Sequence, residues 1–290
     1  MSTFTLIQAS ELNKLLTDDP ANVLILDCRY DLVDHDLGAR QYDEGHIPGS
    51  VYVSVDKLMS DPKTGKNGRH PLPSRETFAG RLSQLGVDQD TLIVGYDSTG
   101  GSYAARLWWM VKWAGHEKVV VLDGGLQAWV GAGFPLTKNV PATRKISDFK
   151  LKNALTQRVD YLNVLSGLES SNRLIIDARP NDRFQGQNET FDAKAGHMPG
   201  AVSRPAKDNL AESGFFKSRD MLIAELTKLL GDRPASQVIA SCGSGVAACH
   251  LLLSMEIAGM PGASLYGGSW SEWSAHPDSP VETGPGRAHC

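Results

Sequence analysis

Short apolar runs alternate with longer amphipathic stretches along the chain, and that alternation predicts its elements. Val23–Leu26 and Thr91–Tyr96 are compact apolar runs of the kind buried strands leave. Ser102–Ala114 (SYAARLWWMVKWA) reads as a helix stopped by Gly115, a residue suited to the left-handed turn that closes helices. Lys118–Leu122 (KVVVL) reads as a third strand. The second half gives the same order: strands at Leu174–Ile176 and Gln237–Ser241, a helix over about Val246–Ala258 before Gly259, and a strand at Ala263–Tyr266. Strands alternating with helices predict an α/β fold, its parallel sheets flanked by helices.

The order repeats in detail. Leu24-Ile25-Leu26-Asp27-Cys28-Arg29 is matched by Leu174-Ile175-Ile176-Asp177-Ala178-Arg179, the aspartates 150 residues apart. Gly45-His46-Ile47-Pro48-Gly49 is matched by Gly196-His197-Met198-Pro199-Gly200, the histidines 151 apart. Gly124-Gly125 ahead of Trp129 is matched by Gly267-Gly268 ahead of Trp273. A period this long marks a duplicated domain rather than a solenoid repeat. The polar stretch between the halves has no strong period and reads as a linker. The expected division is a first domain over 1–138, a linker over 139–155 and a second domain over 156–290.

Composition narrows the function. The 290 residues are 41% hydrophobic and 21% charged, with a net charge of −4. No basic field draws such a chain to nucleic acid or to an anionic membrane surface. The opening MSTFTLIQASELNKLL lacks the basic and apolar regions of a secretory signal, and no apolar run approaches the roughly 20 residues of a membrane span. A soluble, cytoplasmic protein is expected. Cys28, Cys242, Cys249 and Cys290 are scattered and form no C-x-x-C pair, so neither a zinc site nor a disulfide scaffold is expected. No metal or organic cofactor is indicated.

One strand end carries chemistry. In open parallel sheets, sites form where strands end and helices begin. Ser241-Cys242-Gly243-Ser244-Gly245-Val246-Ala247-Ala248 occupies that place in the second half. Gly243 and Gly245 let the backbone curl so that N–H groups turn inward, backed by the positive end of the helix. Such a nest holds an anion and favours thiolate over thiol, which makes Cys242 a nucleophile. The first half supplies a control, because aligning the strands puts Asp97 opposite Cys242. An aspartate cannot be a sulfur nucleophile, so one half is built for chemistry and the other is not.

The duplicated strand–Asp–x–Arg, Gly-His-[Ile/Met]-Pro-Gly, strand–Cys-loop–helix and Gly-Gly…Trp pattern resembles the tandem-domain rhodaneses over nearly the whole chain. The loop Cys242-Gly243-Ser244-Gly245-Val246, with Tyr266-Gly267-Gly268-Ser269-Trp270-Ser271-Glu272-Trp273 downstream, resembles the 3-mercaptopyruvate sulfurtransferase branch. Ala247 departs from it, that branch usually having Thr there. Thiosulfate-specific members carry basic residues just after the cysteine, whereas Gly243 and Ser244 are neutral. A monoanionic α-keto acid instead wants a fork of donors for its carboxylate, which Arg supplies best. Arg179, just past its strand, is the first choice, with Arg183 one turn on.

The resemblance implies two half-reactions. Cys242 takes sulfur from 3-mercaptopyruvate as a persulfide and releases pyruvate. The sulfur then passes to cyanide or a thiol acceptor such as thioredoxin. Gly243, Gly245 and Val246 line the nest, and Ser244 handles a proton. The resemblance further implies that His46 and an upstream acid, with Asp36 named and Asp34 and Asp43 nearby, form a relay across the domain interface. It also implies that Tyr103 and Arg106 face the cleft.

Plainer readings stand beside these. Cys28 and Cys249 read as core thiols, and Cys290 as an exposed end. Asp27 and Asp177 read as ties from loop to backbone, and His197 as a brace for its turn. His46 is open to both the brace and the relay, and Arg179 with Arg183 could form a salt-bridged face. Trp108 and Trp109 read as core or interface. A thiosulfate-specific enzyme of the same fold is one rival. A phosphatase is another, opposed by the lack of any Arg from Cys242 to Ala258. The third is a non-enzymatic persulfide relay, in which a substrate arginine would have no use.

Overall fold

The computed structural model describes residues 5–18, 20–168 and 172–286. Contacts divide the chain into two units. The first holds the residues up to Ser60, Pro73–Leu155 and Glu212–Phe215, and the second holds Asp61–Leu72, Thr156–Ala211 and the residues from Phe216 onward.

In the first unit the strands are β1 (Leu6–Ile7), β2 (Val23–Asp27), β3 (Val51–Tyr52), β4 (Leu92–Tyr96) and β5 (Val119–Leu122). Its helices are α1 (Ala9–Asp18), α2 (Leu37–Glu44), α3 (Val55–Leu58), α4 (Arg75–Gln84), α5 (Ser102–Trp113) and α6 (Gly125–Gly131). The second unit has β6 (Gln157–Val159), β7 (Leu174–Asp177), β8 (Val202–Ser203), β9 (Val238–Ser241) and β10 (Ser264–Tyr266). Its helices are α7 (Tyr161–Gly167), α8 (Asn181–Phe184), α9 (Arg219–Leu230), α10 (Ala247–Ile257) and α11 (Ser269–Trp273). Both sheets are parallel throughout, in the orders β1-β5-β4-β2-β3 and β6-β10-β9-β7-β8. The inner strands β2, β7 and β9 are buried at every residue, as the unbroken apolar runs require. Trp129 anchors one core and Trp270 with Trp273 the other. No helix among the described residues is long and apolar enough to cross a membrane.

Register sets the level of the loops. Asp27 lies beside Tyr96 and Asp177 beside Ser241, so both pairs of strands release their loops at one height. There the Asp-x-Arg motif forms a clamp. Asp27 accepts from the backbone N–H and Nε of Arg29, whose Nη2 also bonds the Gly45 carbonyl at 2.9 Å. Asp177 and Arg179 repeat this, with Nη2 on the Gly196 carbonyl at 2.7 Å. The clamp fastens each strand end to its Gly-His-x-Pro-Gly turn. Both charges are buried, so each is affordable only because its partner is paired with it.

Two short segments sit with the unit that does not flank them in sequence. Asp61–Leu72 precedes the Ser74-capped α4 of the first unit, yet packs in the second. Glu212–Phe215 precedes the Ser218-capped α9 of the second unit, yet packs in the first. They dock at matching places. A Cβ on Gly68 would stand 2.9 Å from the Gly268 carbonyl, and one on Gly124 would stand 3.0 Å from the Phe215 ring. The stretch 139–155 carries no helix or strand and is tied to the first unit, with Ser147 N–H on the Ser83 carbonyl and Leu155 N–H on the Lys112 carbonyl, both at 3.0 Å.

Candidate active site

The loop that leaves β9 is sewn onto the start of α11. The Trp270 N–H bonds the Cys242 carbonyl and the Ser271 N–H bonds the Gly243 carbonyl, each at 2.9 Å. The Ser269 hydroxyl accepts the Cys242 N–H at 3.1 Å and donates to the Tyr266 carbonyl at 2.8 Å. Ser269 does this at φ +53, a left-handed conformation that costs a residue with a Cβ roughly 1–2 kcal/mol. Strain of this kind gathers where position matters more than stability. Gly245, at φ +78, turns the chain so that its N–H points at Cys242 Sγ, 3.1 Å away. Cys242 itself is only 2% exposed.

The neighbours of this loop come from distant parts of the chain. The Ser244 hydroxyl is 2.8 Å from His70 Nδ1, and both side chains are buried. Arg69, the residue before, bonds the Ser271 hydroxyl through its backbone N–H at 3.0 Å. Its guanidinium pairs with Asp192. Arg183 bonds Glu189 through Nε and Nη2, and Asp192 through Nη2 at 3.1 Å. Phe191 lies under both guanidiniums, 5.4 Å from Arg69 and 5.0 Å from Arg183. Sequence reasoning missed Arg69, His70, Ser269, Glu189 and Asp192. The available signal was Gly68-Arg69-His70-Pro71, a histidine between turn residues where the first half departs from its repeat.

Arg179 emerges mainly as a clamp. Asp177 and the Gly196 carbonyl occupy its Nε and Nη2, as in Arg29, and its guanidinium stacks 4.6 Å over Trp270. Its Nη1 alone has no hydrogen bond, standing 3.6 Å from Glu189. Desolvation would lower its pKa, but Asp177, Glu189 and Cys242 outweigh that and raise it, so the guanidinium stays charged. Arg183 borders the cysteine loop, its Nη1 3.5 Å from a Cβ built on Gly243.

His46 lies in surroundings that suit a brace. Its ring is buried and stacked 3.7 Å from Tyr42, with Nδ1 on the Tyr42 carbonyl and Nε2 on the Asn139 carbonyl. Its counterpart His197 stacks on Phe184 in the same way, with Nδ1 on the Phe184 carbonyl. Both nitrogens of His46 thus lie against backbone carbonyls. Asp36 is exposed at the N-terminus of α2, makes no capping bond, and has no hydrogen bond to His46. Tyr103 and Arg106 are buried on α5 of the first unit. The Tyr103 N–H serves Asp97, and Arg106 Nη2 reaches the Met59 carbonyl at 3.3 Å.

Cys28 and Cys249 are also free and buried. Burial, with Asp97 and Asp27 beside it, pushes the Cys28 thiol well up, which removes it as a nucleophile. Cys249 is buried in α10 and its thiol bonds the Gly245 carbonyl at 3.2 Å. Cys290 lies outside the described residues. Among the described residues no group of His, Cys, Asp and Glu could hold a metal ion.

Residues 8–132 and 162–276 each match the family described as the rhodanese-like domain. A Pseudomonas aeruginosa protein described as "Probable 3-mercaptopyruvate sulfurtransferase" is 40% identical over 98% of this chain and 100% of its own length. A thiosulfate sulfurtransferase of Gallus gallus is 33% identical over 87% of this chain and 86% of its own. The crystal structure of the Escherichia coli 3-mercaptopyruvate sulfotransferase SseA superposes with a TM-score of 0.78 at 33% identity, covering 93% of this chain and 100% of that one. With both halves matched and each built on the same parallel sheet, the chain belongs to the rhodanese family as a tandem of two rhodanese-like domains.

Proposed function

We propose that the chain is a 3-mercaptopyruvate sulfurtransferase working through a persulfide on Cys242. The observation that carries this reading is the 2.8 Å bond between the Ser244 hydroxyl and His70 Nδ1, one residue pair away from the sulfur nucleophile. The two donors leave different debts. Thiosulfate gives up sulfite, which departs as a stable anion. 3-Mercaptopyruvate gives up the enolate of pyruvate, which must gain a proton at carbon. A hydroxyl backed by an imidazole is suited to move that proton.

The steps balance. Cys242 thiolate attacks the donor sulfur, an S–S bond forms, and the carbon–sulfur bond breaks toward the enolate. The thiol proton of the donor passes through Ser244 and His70 to the enolate carbon, giving pyruvate and a Cys242 persulfide anion. The inward N–H groups of the loop hold the negative charge at both stages. A thiolate, such as that of thioredoxin, or cyanide then attacks the outer sulfur and returns Cys242 as thiolate. Cytoplasmic placement fits a protein that depends on reduced thiols.

The test compares pyruvate release from 3-mercaptopyruvate with thiocyanate release from thiosulfate, for wild type, Cys242→Ser and His70→Asn. The expected result is a preference for 3-mercaptopyruvate, abolished in Cys242→Ser. His70→Asn should lower that activity about 100-fold while sparing the thiosulfate reaction. Equal loss with both donors would remove the proton argument. Turnover of neither donor by folded protein would leave a relay fed by another protein.

A further inference from the structure

Two guanidinium nitrogens are left over at the cysteine loop. Asp192, with its side chain 3% exposed, takes Arg69 Nη1 on one carboxylate oxygen and Arg183 Nη2 on the other. Glu189 holds Arg183 from a second side. Among the described residues Arg69 Nη2 and Arg183 Nη1 have no hydrogen-bond partner, and both border Gly243. A Cβ built there would stand 2.7 Å from Arg69 Nη2 and 3.5 Å from Arg183 Nη1. Arg69 Nε is buried and also without a partner. Buried donors left unpaired are costly, and they persist where a ligand completes them.

We propose that Arg69 binds the donor, its Nη2 and Arg183 Nη1 gripping the two carboxylate oxygens over Gly243, with Asp192 as the positioning residue that yokes the two guanidiniums. This rests on the donor reading above. A carboxylate is bound best by two N–H donors held at a fixed spacing. Here they come from two side chains rather than one fork, which is why the spacing needs a yoke. Gly243 lets Arg69 come close to the loop, since any side chain there would meet it. The loop itself carries no cationic side chain. A segment distant in sequence supplies the guanidinium that the loop lacks. Asp192 and Glu189 offset the charges of Arg69 and Arg183, so the seat favours a directional monoanion over a compact dianion.

Five variants test it: Arg69→Ala, Arg69→Lys, Gly243→Ala, Asp192→Asn and the double variant Arg69→Ala/Gly243→Ala. Each is assayed for KM and kcat with 3-mercaptopyruvate and for competitive inhibition by pyruvate, which keeps the carboxylate and lacks the sulfur. Arg69→Ala should raise KM and the pyruvate inhibition constant about 30-fold with kcat within about fivefold, and Arg69→Lys should recover part of the loss. Gly243→Ala should raise KM in wild type by pushing Arg69 aside, and add nothing in the Arg69→Ala background. Asp192→Asn should raise KM about tenfold. Unchanged KM and pyruvate inhibition in folded Arg69→Ala, or additive effects in the double variant, would overturn the seat. Failure of wild type to turn over 3-mercaptopyruvate would instead overturn the donor reading beneath it. If Arg69→Ala does not fold, Gly243→Ala and Arg69→Lys carry the same decision through KM.

Discussion

The loops after β4 and β9 are one bend with two contents. In the first unit Asp97 fills it. One oxygen of its carboxylate accepts the N–H groups of Thr99 and Gly101, the other those of Tyr103 and Ala104, at 2.8–3.0 Å. The Leu126 N–H bonds the Asp97 carbonyl at 2.9 Å, as Trp270 does for Cys242. The first unit thus carries a resident anion where the second carries a sulfur. Taste for negative charge belongs to the backbone of this bend, and the proposed reaction falls to one side chain. Asp97 gathers four N–H groups, the measure of what such a bend can offer the persulfide proposed on Cys242.

Four measurements press on that comparison. The largest effect is expected from Cys242→Asp, which copies the first loop into the second. Sulfur transfer should fall more than about 1,000-fold, while the thermal midpoint holds or rises. A midpoint that collapses would mean that the bends are not equivalent. Next comes Asp97→Ala, which strands several buried N–H groups and should cost about 3 kcal/mol by urea titration of the full chain. An unchanged titration would make the resident anion ornamental.

Ser269→Gly sharpens a smaller difference. Its counterpart Gly125, at φ +57, takes the same left-handed turn without strain. The glycine should leave stability level or slightly higher and lower kcat about tenfold, because Cys242 loses its hydroxyl tether. Activity equal to wild type would show that the tether is idle. The smallest effect separates the units by pH. Burial lowers the pKa of His116 from 6.5, against a bond to the Thr91 carbonyl, so the folded chain holds it neutral. Below that value the unfolded chain takes up the proton first, and stability present above pH 6.5 drains as pH falls. Met260 stands at the matching place in the second unit, its N–H on the Met255 carbonyl as His116 is on Val111. Acid should loosen the first unit ahead of the second, and His116→Gln should erase the gap.

Much of this was legible from sequence. The inner strands and the long helices α5 and α10 fall within a residue or so of their predicted spans, because full burial writes an unbroken apolar run. The edge strands β1, β3, β6 and β8, two or three residues each, are too short to carry a period. Cys242 and its glycines announce themselves, since a thiol between strand and helix has few other uses. Arg69 and His70 do not. They lie in a turn-rich stretch of the half without a nucleophile, and nothing local says which unit that stretch joins. His46 could not be told from a brace either, and its ring stacks on an aromatic neighbour as that of His197 does.

The reciprocal placement of Asp61–Leu72 and Glu212–Phe215 has a genetic consequence. A gene cut anywhere in the stretch 139–155 yields two fragments that each look like a whole domain. The downstream fragment would keep Cys242, Ser244 and Arg183 and lose Arg69 and His70. Once a duplicated chain trades its loops in this way, neither copy can be deleted or shuffled elsewhere without dismantling the other. The first half then persists by inheritance of an obligation.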